Sequence, residues 1–391
     1  MTEWLTSVRC VPDDYSRAAL VGRVWLSSAH GPVLVRIRED DVDDLSSVAA
    51  TSAQLLNLND PAGAVRGART QRLASLQAVL ANSAADRRDE HTPWFLAPCD
   101  LQAIKAAGVT FVASLLERVI EEQARGDATR AESIRQSIVA VIGDNLRDIH
   151  PGSAGARAVK AALMAQGVWS QYLEVGIGPD AEIFTKGQPM SAVGTGAEVG
   201  IHPKSEWNNP EPEIVLAVNQ SGRVVGATLG NDLNLRDFEG RSALLLGKAK
   251  DNNASGAIGP FIRLFDEHFG LDDIRQCDVG LQVKGADGFA FTASSSMSQI
   301  SRDPLELVDH AMGAHHQYPD GMMLFLGTMF APAIDRFGPG QGFTHAVGDV
   351  VTVSTPALGG LVNRVNHTDQ IPPWTFGAVA LMTNLAERGL L

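Results

Sequence analysis

The stretch EPEIVLAVNQSGRVVGATLGND, residues 211–232, constrains the folding of this chain most. Two β-rich runs flank Ser221-Gly222, a good hairpin turn. Side chains alternate on a strand, so Glu211 and Glu213 point to one face. Pro212 between them suits a strand start or an edge. With Ser221-Gly222 as a two-residue loop, Gln220 pairs with Arg223, Glu213 with Gly230, and Glu211 with Asp232. A loop of Gln220-Ser221 preserves the parity. Glu211, Glu213 and Asp232 then share a face, with opposed Cβ atoms about 5 Å apart. Carboxylates this close repel and require protons or a cation. Oxygen donors of this kind predict Mg²⁺ first, then Mn²⁺ or Ca²⁺. Gly230, opposite Glu213, is expected to leave room for water or substrate. A solvated acidic strand face is the competing reading of the trio alone.

The residues that follow favour the cation. After Asp232 come a turn, LRDFEG, a short helix, and the Gly/Asn-rich loop GKAKDNNASGAIGP. This path is expected to return Lys250 towards the acids. A lysine beside a metal can have a depressed pKa and serve as a general base.

Elsewhere the chain reads as an α+β protein. Residues 18–36 form two β runs, and a polar, Ala-rich helical stretch follows. The charged segment AADRRDEHTP resembles a linker. It sets the expected boundary between a smaller N-terminal α+β domain, 1–93, and a main domain, 94–391. From Gly108 to about Gln166 the periodicity is helical. Beyond residue 170, short β runs with Gly, Pro and Asn punctuation predict a mostly antiparallel sandwich or roll, interrupted by two helices. The net charge, 32 − 45 = −13, argues against nucleic acid and anionic membranes as partners. No signal peptide or membrane-spanning run is evident, and Cys10, Cys99 and Cys277 form no metal or disulfide pattern. A cytoplasmic location is expected.

Three motifs in combination resemble the fumarylacetoacetate hydrolase superfamily. They are Glu211-Pro-Glu213, Asn231-Asp232 through Arg236-Asp237, and Ala249-Lys250 through Ile258-Gly259-Pro260. The run LFLGTMFAP, with Gly327-Thr328, is similar to a family strand ending in a Gly-Thr pair. The resemblance extends from about Leu96 to the C-terminus. It implies a mixed β-sandwich roll, a homodimer or homotetramer, a metal on Glu211, Glu213 and Asp232, and Lys250 at the active centre. Many members also carry G-x-N-Y-x-x-H-x-x-E on a lid whose His and Glu form an acid/base pair. The matching residues here run from Gly108 to Glu117, with Phe111 at the aromatic position and Ser114 in place of His. That loss weakens a reading as a C–C hydrolase.

A subgroup with this serine dehydrates 2-keto-3-deoxypentonates (the D-xylonate/D-arabinonate derivative) to 2-oxoglutarate semialdehyde. The resemblance therefore implies a metal-dependent hydro-lyase with a small 2-keto-3-deoxy sugar acid as its partner. In that scheme Lys250 removes a C3 proton, and Glu117, aided by Ser114, helps the C4 hydroxyl leave. Gly327 and Thr328 bind the carboxylate end, and Arg118 or Phe111 closes the site. A diketo-acid hydrolase or 2-keto-acid decarboxylase on the same scaffold is the enzymatic alternative. A non-catalytic sugar-acid or metal-binding module is the alternative outside enzymes.

Overall fold

A computed structural model describes residues 2–131, 134–135, 149–165 and 169–391. Most of the helical pattern expected over 132–148 therefore lies outside the described residues. The larger of the two main sheets has eleven strands. In spatial order its main path is Gln71–Ser75, Asp41–Asp44, Gly31–Arg38, Leu20–Leu26, Gly256–Leu264, Val224–Asp232, Pro212–Val218, Met322–Phe325, Ala103–Gly108 and Glu182–Gly187. Trp94–Leu96 pairs separately with Leu20–Leu26. A five-stranded sheet packs against this one, in the order Ala290–Ser296, Asp278–Lys284, Val350–Thr355, Gly359–His367 and Glu198–Ile201. Buried side chains from both sheets, including Ile214, Leu216, Leu229, Val279, Leu281 and Val353, share one core.

This α+β architecture of mixed sheets and helices matches the expected roll. Two strand pairs are parallel: Met322–Phe325 with Ala103–Gly108, and Gly359–His367 with Glu198–Ile201. The large sheet also crosses residue 93, because Leu20 and Val21 pair with Arg263 and Ile262. Gln71–Ser75 forms a strand where the Ala-rich pattern predicts helix. Its pairing with Asp41–Asp44 is a tertiary interaction that local propensity does not encode. Among the described residues, no helix is long and apolar enough to cross a membrane.

The hairpin lies in the middle of the large sheet, and Glu213 faces Gly230 as the alternation predicts. The turn differs in detail. Asn219 donates its backbone N–H to Arg223 O, which leaves a three-residue loop. The Asn219 side chain organises that loop by accepting from Ser221 N and Arg223 N. The ladder then shifts by one residue between Ala217 and Val218. The longer loop and the shift cancel, so the expected facing of the acids is kept.

The space above Gly230 is not open to water. A Cβ there would lie 2.3 Å from Phe325 Cε1 and 2.6 Å from Val215 Cγ2. The glycine admits an aromatic ring of the core, which corrects the expectation of a water or substrate site. We therefore expect Gly230→Ala to lower stability by about 1–3 kcal/mol through overpacking. Denaturant unfolding measures it, and an unchanged midpoint would contradict this packing.

Candidate metal and active site

The hairpin brings Glu211, Glu213 and Asp232 together. One oxygen from each lies within 4.8 Å of the others, and all three residues are buried. Burial opposes charge on Glu211 and Glu213, so their neighbours decide their ionisation. For Glu211, burial is outweighed by Arg118 and Lys250, which hold its carboxyl below the usual range. For Glu213, burial and the adjacent Asp232 and Glu211 push the carboxyl well up. A trio of hard, closely spaced oxygens fits a divalent cation.

Gly327 positions one member of the trio. Its N–H donates to Glu213 Oε2 at 2.7 Å. The residue has φ +96°, and a Cβ would lie 2.1 Å from Thr110 Oγ1, so only glycine fits. Thr110 in turn donates to Leu326 O at 2.6 Å. Gly327 and Thr328 were expected to bind a substrate carboxylate. Here the Gly327 N–H is engaged by Glu213, and the Thr328 hydroxyl donates to Phe330 O at 3.0 Å.

Lys250, the last residue of the Leu246–Lys250 helix, reaches the acids as expected. Its Nζ lies 2.5 Å from Glu211 Oε2 and 3.1 Å from Asp232 Oδ2. Burial disfavours the ammonium, but Asp232, Glu211 and Glu239 more than compensate and raise its pKa. The depressed value expected for a lysine beside a metal is therefore not found in this arrangement, where carboxylates are its contacts.

Lys186 is a member of the site that sequence reasoning missed. It extends from the Glu182–Gly187 strand, with Nζ 3.2 Å from Asp232 Oδ1. The same ammonium donates to the Lys250 carbonyl and to Ser255 Oγ. The only signal in sequence was a lysine at an inward position of a β run.

The Val112–Ala124 helix supplies a second row of charge. The resemblance makes Arg118 a candidate for closing the site over substrate. It is buried, and it donates to Glu121 at 2.7 Å and to Glu211 Oε1, with Glu239 3.1 Å away. Arg236 binds Glu121 at 2.6 Å and Glu117 at 2.7 Å, and its guanidinium stacks 4.4 Å from the Trp207 ring centroid. Arg135 adds two 3.0 Å contacts to Glu117. A continuous alternation of charge thus runs from Arg135 through Glu117, Arg236, Glu121, Arg118, Glu211, Lys250 and Asp232 to Lys186.

Other expected site residues are placed differently. Phe111 is only 2% exposed and packs in the main core. Ser114 is buried, and its hydroxyl has no hydrogen-bond partner among the described residues. Glu117 is opposed by burial, but Arg236 and Arg135 hold its carboxyl below the usual range. Glu182, absent from the sequence reading, has no hydrogen-bonding or ion-pairing partner among the described residues. Its carboxyl folds over Gly108, where a Cβ would lie 1.9 Å from Glu182 Oε2. Burial pushes its pKa up against the opposing pull of Arg118 and Lys250.

Residues 163–366 match the fumarylacetoacetate (FAA) hydrolase C-terminal family. The chain belongs to the fumarylacetoacetate hydrolase family. Within that family it is similar to a probable 2-keto-3-deoxyxylonate dehydratase of Haloferax volcanii, 27% identical over 194 residues. A 2-dehydro-3-deoxy-D-arabinonate dehydratase of Saccharolobus solfataricus is 27% identical over 190 residues. These matches take in 50% and 49% of this chain, and span only 63% and 60% of the two curated relatives. A solved 2-keto-3-deoxy-D-arabinonate dehydratase, complexed with magnesium and 2,5-dioxopentanoate, shares the fold. It has TM-score 0.61 and 19% identity, covering 89% of this chain and 99% of that one. A fumarylacetoacetate hydrolase from Exiguobacterium antarcticum has TM-score 0.55 at 15% identity, over 90% and 100% of the two chains.

In this family member the buried alternation of charge depends on Arg236. Removing one partner of a buried ion pair costs about 3–5 kcal/mol. We expect Arg236→Gln to destabilise the protein by that order in denaturant unfolding. Trp207 emission should change in the folded variant, because the stacked guanidinium is gone. An unchanged unfolding midpoint would show that Glu117 and Glu121 do not rely on Arg236.

Proposed function

We propose that this chain is a divalent-cation-dependent hydro-lyase that converts a 2-keto-3-deoxypentonate into 2-oxoglutarate semialdehyde. One observation carries this reading: a cation-fitting carboxylate trio and a lysine meet in one buried site. Removing water across C3 and C4 of a 2-keto acid requires an electrophile at the carbonyl, a base at C3 and a proton donor at the C4 oxygen. The names of the two curated relatives support the substrate class. The 2,5-dioxopentanoate bound by the structural relative is the same compound as 2-oxoglutarate semialdehyde.

Glu211, Glu213 and Asp232 would hold the cation, with Mg²⁺ as the first candidate. Bound there, it supplies Lewis acidity towards the carboxylate and ketone oxygens of the substrate. Lys250 is assigned to take the C3 proton, a role that requires it to leave the two carboxylates that favour its ammonium form. The released electron pair forms the C3–C4 double bond as the C4 hydroxyl leaves with a proton, as water. Transfer of a proton from C5 to C3 then gives the C4–C5 enol, whose tautomer is the aldehyde.

Glu182 is the better assignment for the acid at C4. Arg236 and Arg135 hold the Glu117 carboxyl below the usual range, which disfavours it as a proton donor, whereas desolvation pushes the Glu182 carboxyl up. We assign Glu117 to anchoring the helix through Arg236 and Arg135. No histidine belongs to this network of charged side chains. That fits dehydration better than hydrolysis, which must activate a water.

The decisive experiment incubates the protein with Mg²⁺ and a panel of 2-keto-3-deoxy sugar acids, trapping aldehydes as hydrazones. The expected product is a five-carbon aldehyde that forms only with the cation present. No aldehyde from any pentonate, or shortened carbon chains, would overturn the reading. Glu182→Gln should lower kcat by about 10²–10⁴-fold while C3 proton exchange, followed by NMR in D₂O, continues. Full turnover in that variant would remove Glu182 from the acid role.

A further inference from the structure

The two oxygens of each carboxylate that meets Lys250 are engaged differently. Glu211 Oε1 accepts from Arg118, and Asp232 Oδ1 faces Lys186 at 3.2 Å. The remaining oxygens, Glu211 Oε2 and Asp232 Oδ2, share a single ammonium, Lys250 Nζ, at 2.5 and 3.1 Å. Lys250 thus bridges two members of the trio, on the oxygens left over by the other two cations.

The three cations also differ in how firmly they are held. Arg118 is shared among Glu121, Glu211 and Glu239, so it can keep charge partners if Glu211 is drawn elsewhere. Lys186 is held by Asp232, Ser255 Oγ and the Lys250 carbonyl. Among the described residues, Lys250 Nζ has no hydrogen-bond partner besides the two carboxylates, and the Phe184 ring centroid lies 5.9 Å away. Its backbone is pinned, because the carbonyl accepts from Lys186 and from Ser255 Oγ at 2.7 Å. Motion of Lys250 is therefore motion of a flexible four-carbon side chain alone.

We propose that the Lys250 ammonium and the divalent cation compete for Glu211 Oε2 and Asp232 Oδ2. Cation binding is then what turns Lys250 away from the carboxylates and frees it for substrate. An ammonium and a divalent cation cannot both sit in contact with the same two oxygens, since like charges at that range repel strongly in a buried site. Arg118 and Lys186 stay on the outer oxygens and keep the carboxylates aimed. The base is thereby placed at the disposal of substrate only when the electrophile is in place. This inference rests on the cation reading above.

The test titrates Mn²⁺ alone into the full-length wild type, Lys250→Met and Lys186→Met by calorimetry. Lys250→Met is expected to bind at least about tenfold tighter, and Lys186→Met to change by less than about threefold. Equal or weaker binding in Lys250→Met would overturn the competition. So would an equal gain in Lys186→Met, since that would reflect loss of any nearby positive charge. Absence of Mn²⁺ binding in all three proteins would overturn the cation reading itself. A second measurement needs no variant. Reductive methylation of Lys250 by formaldehyde and cyanoborohydride, read by mass spectrometry, should rise when Mg²⁺ is added. Protection that is unchanged or greater with Mg²⁺ would also overturn the proposal.

Discussion

Three carboxylates buried on one face of a hairpin are the constraint around which this structure is arranged. Removing a charge from water costs several kcal/mol even after relaxation, and three like charges add their mutual repulsion. Such a cluster persists only where compensating charge is brought to it. Lys186 arrives from one strand, Lys250 from the end of a short helix, and Arg118 from the Val112–Ala124 helix. Arg118 and Lys186 each address one carboxylate oxygen and Lys250 bridges two, so the cluster is ordered as well as charge-compensated.

The same demand explains why that helix carries buried charge. Arg118 and Glu121 lie on its covered side, together with Leu115, Val119 and Ile120. Arg236 ties Glu117 and Glu121 to the segment that follows Asp232 in the chain. The helix is therefore fastened to the site by ion pairs as well as by apolar packing. This changes the chemistry available to Glu117. A carboxylate between two guanidiniums is a good anchor and a poor proton donor. Glu182, on the strand paired with Ala103–Gly108, is not tied to a guanidinium in this way.

Much of the site was legible because strand periodicity is simple. A period of two places Glu211, Glu213 and Asp232 on one face for any turn that keeps the parity. The turn is one residue longer than a two-residue loop, and the shift beside Val218 restores the facing. The recurrence of short β runs after residue 170 likewise predicted the roll. The strand at Gln71–Ser75 was not legible, because it exists only through its pairing with Asp41–Asp44. Lys186 and Glu182 escaped for a related reason. Neither carries a local motif, and each acquires its meaning from residues far away in the chain.

The sequence by itself determined the acidic trio, its fitness for a hard cation, the return of Lys250 towards it, and the α+β architecture. These follow from alternation, donor chemistry and spacing within a short segment. Only the tertiary structure decided which cation meets which oxygen, that Gly230 admits Phe325, and that Phe111 belongs to the core. It also decided that Glu117 lies between two guanidiniums. The physical reason is that ionisation and access depend on burial and on charges within a few ångströms. Those neighbours come from strands and helices that only the folded chain brings together.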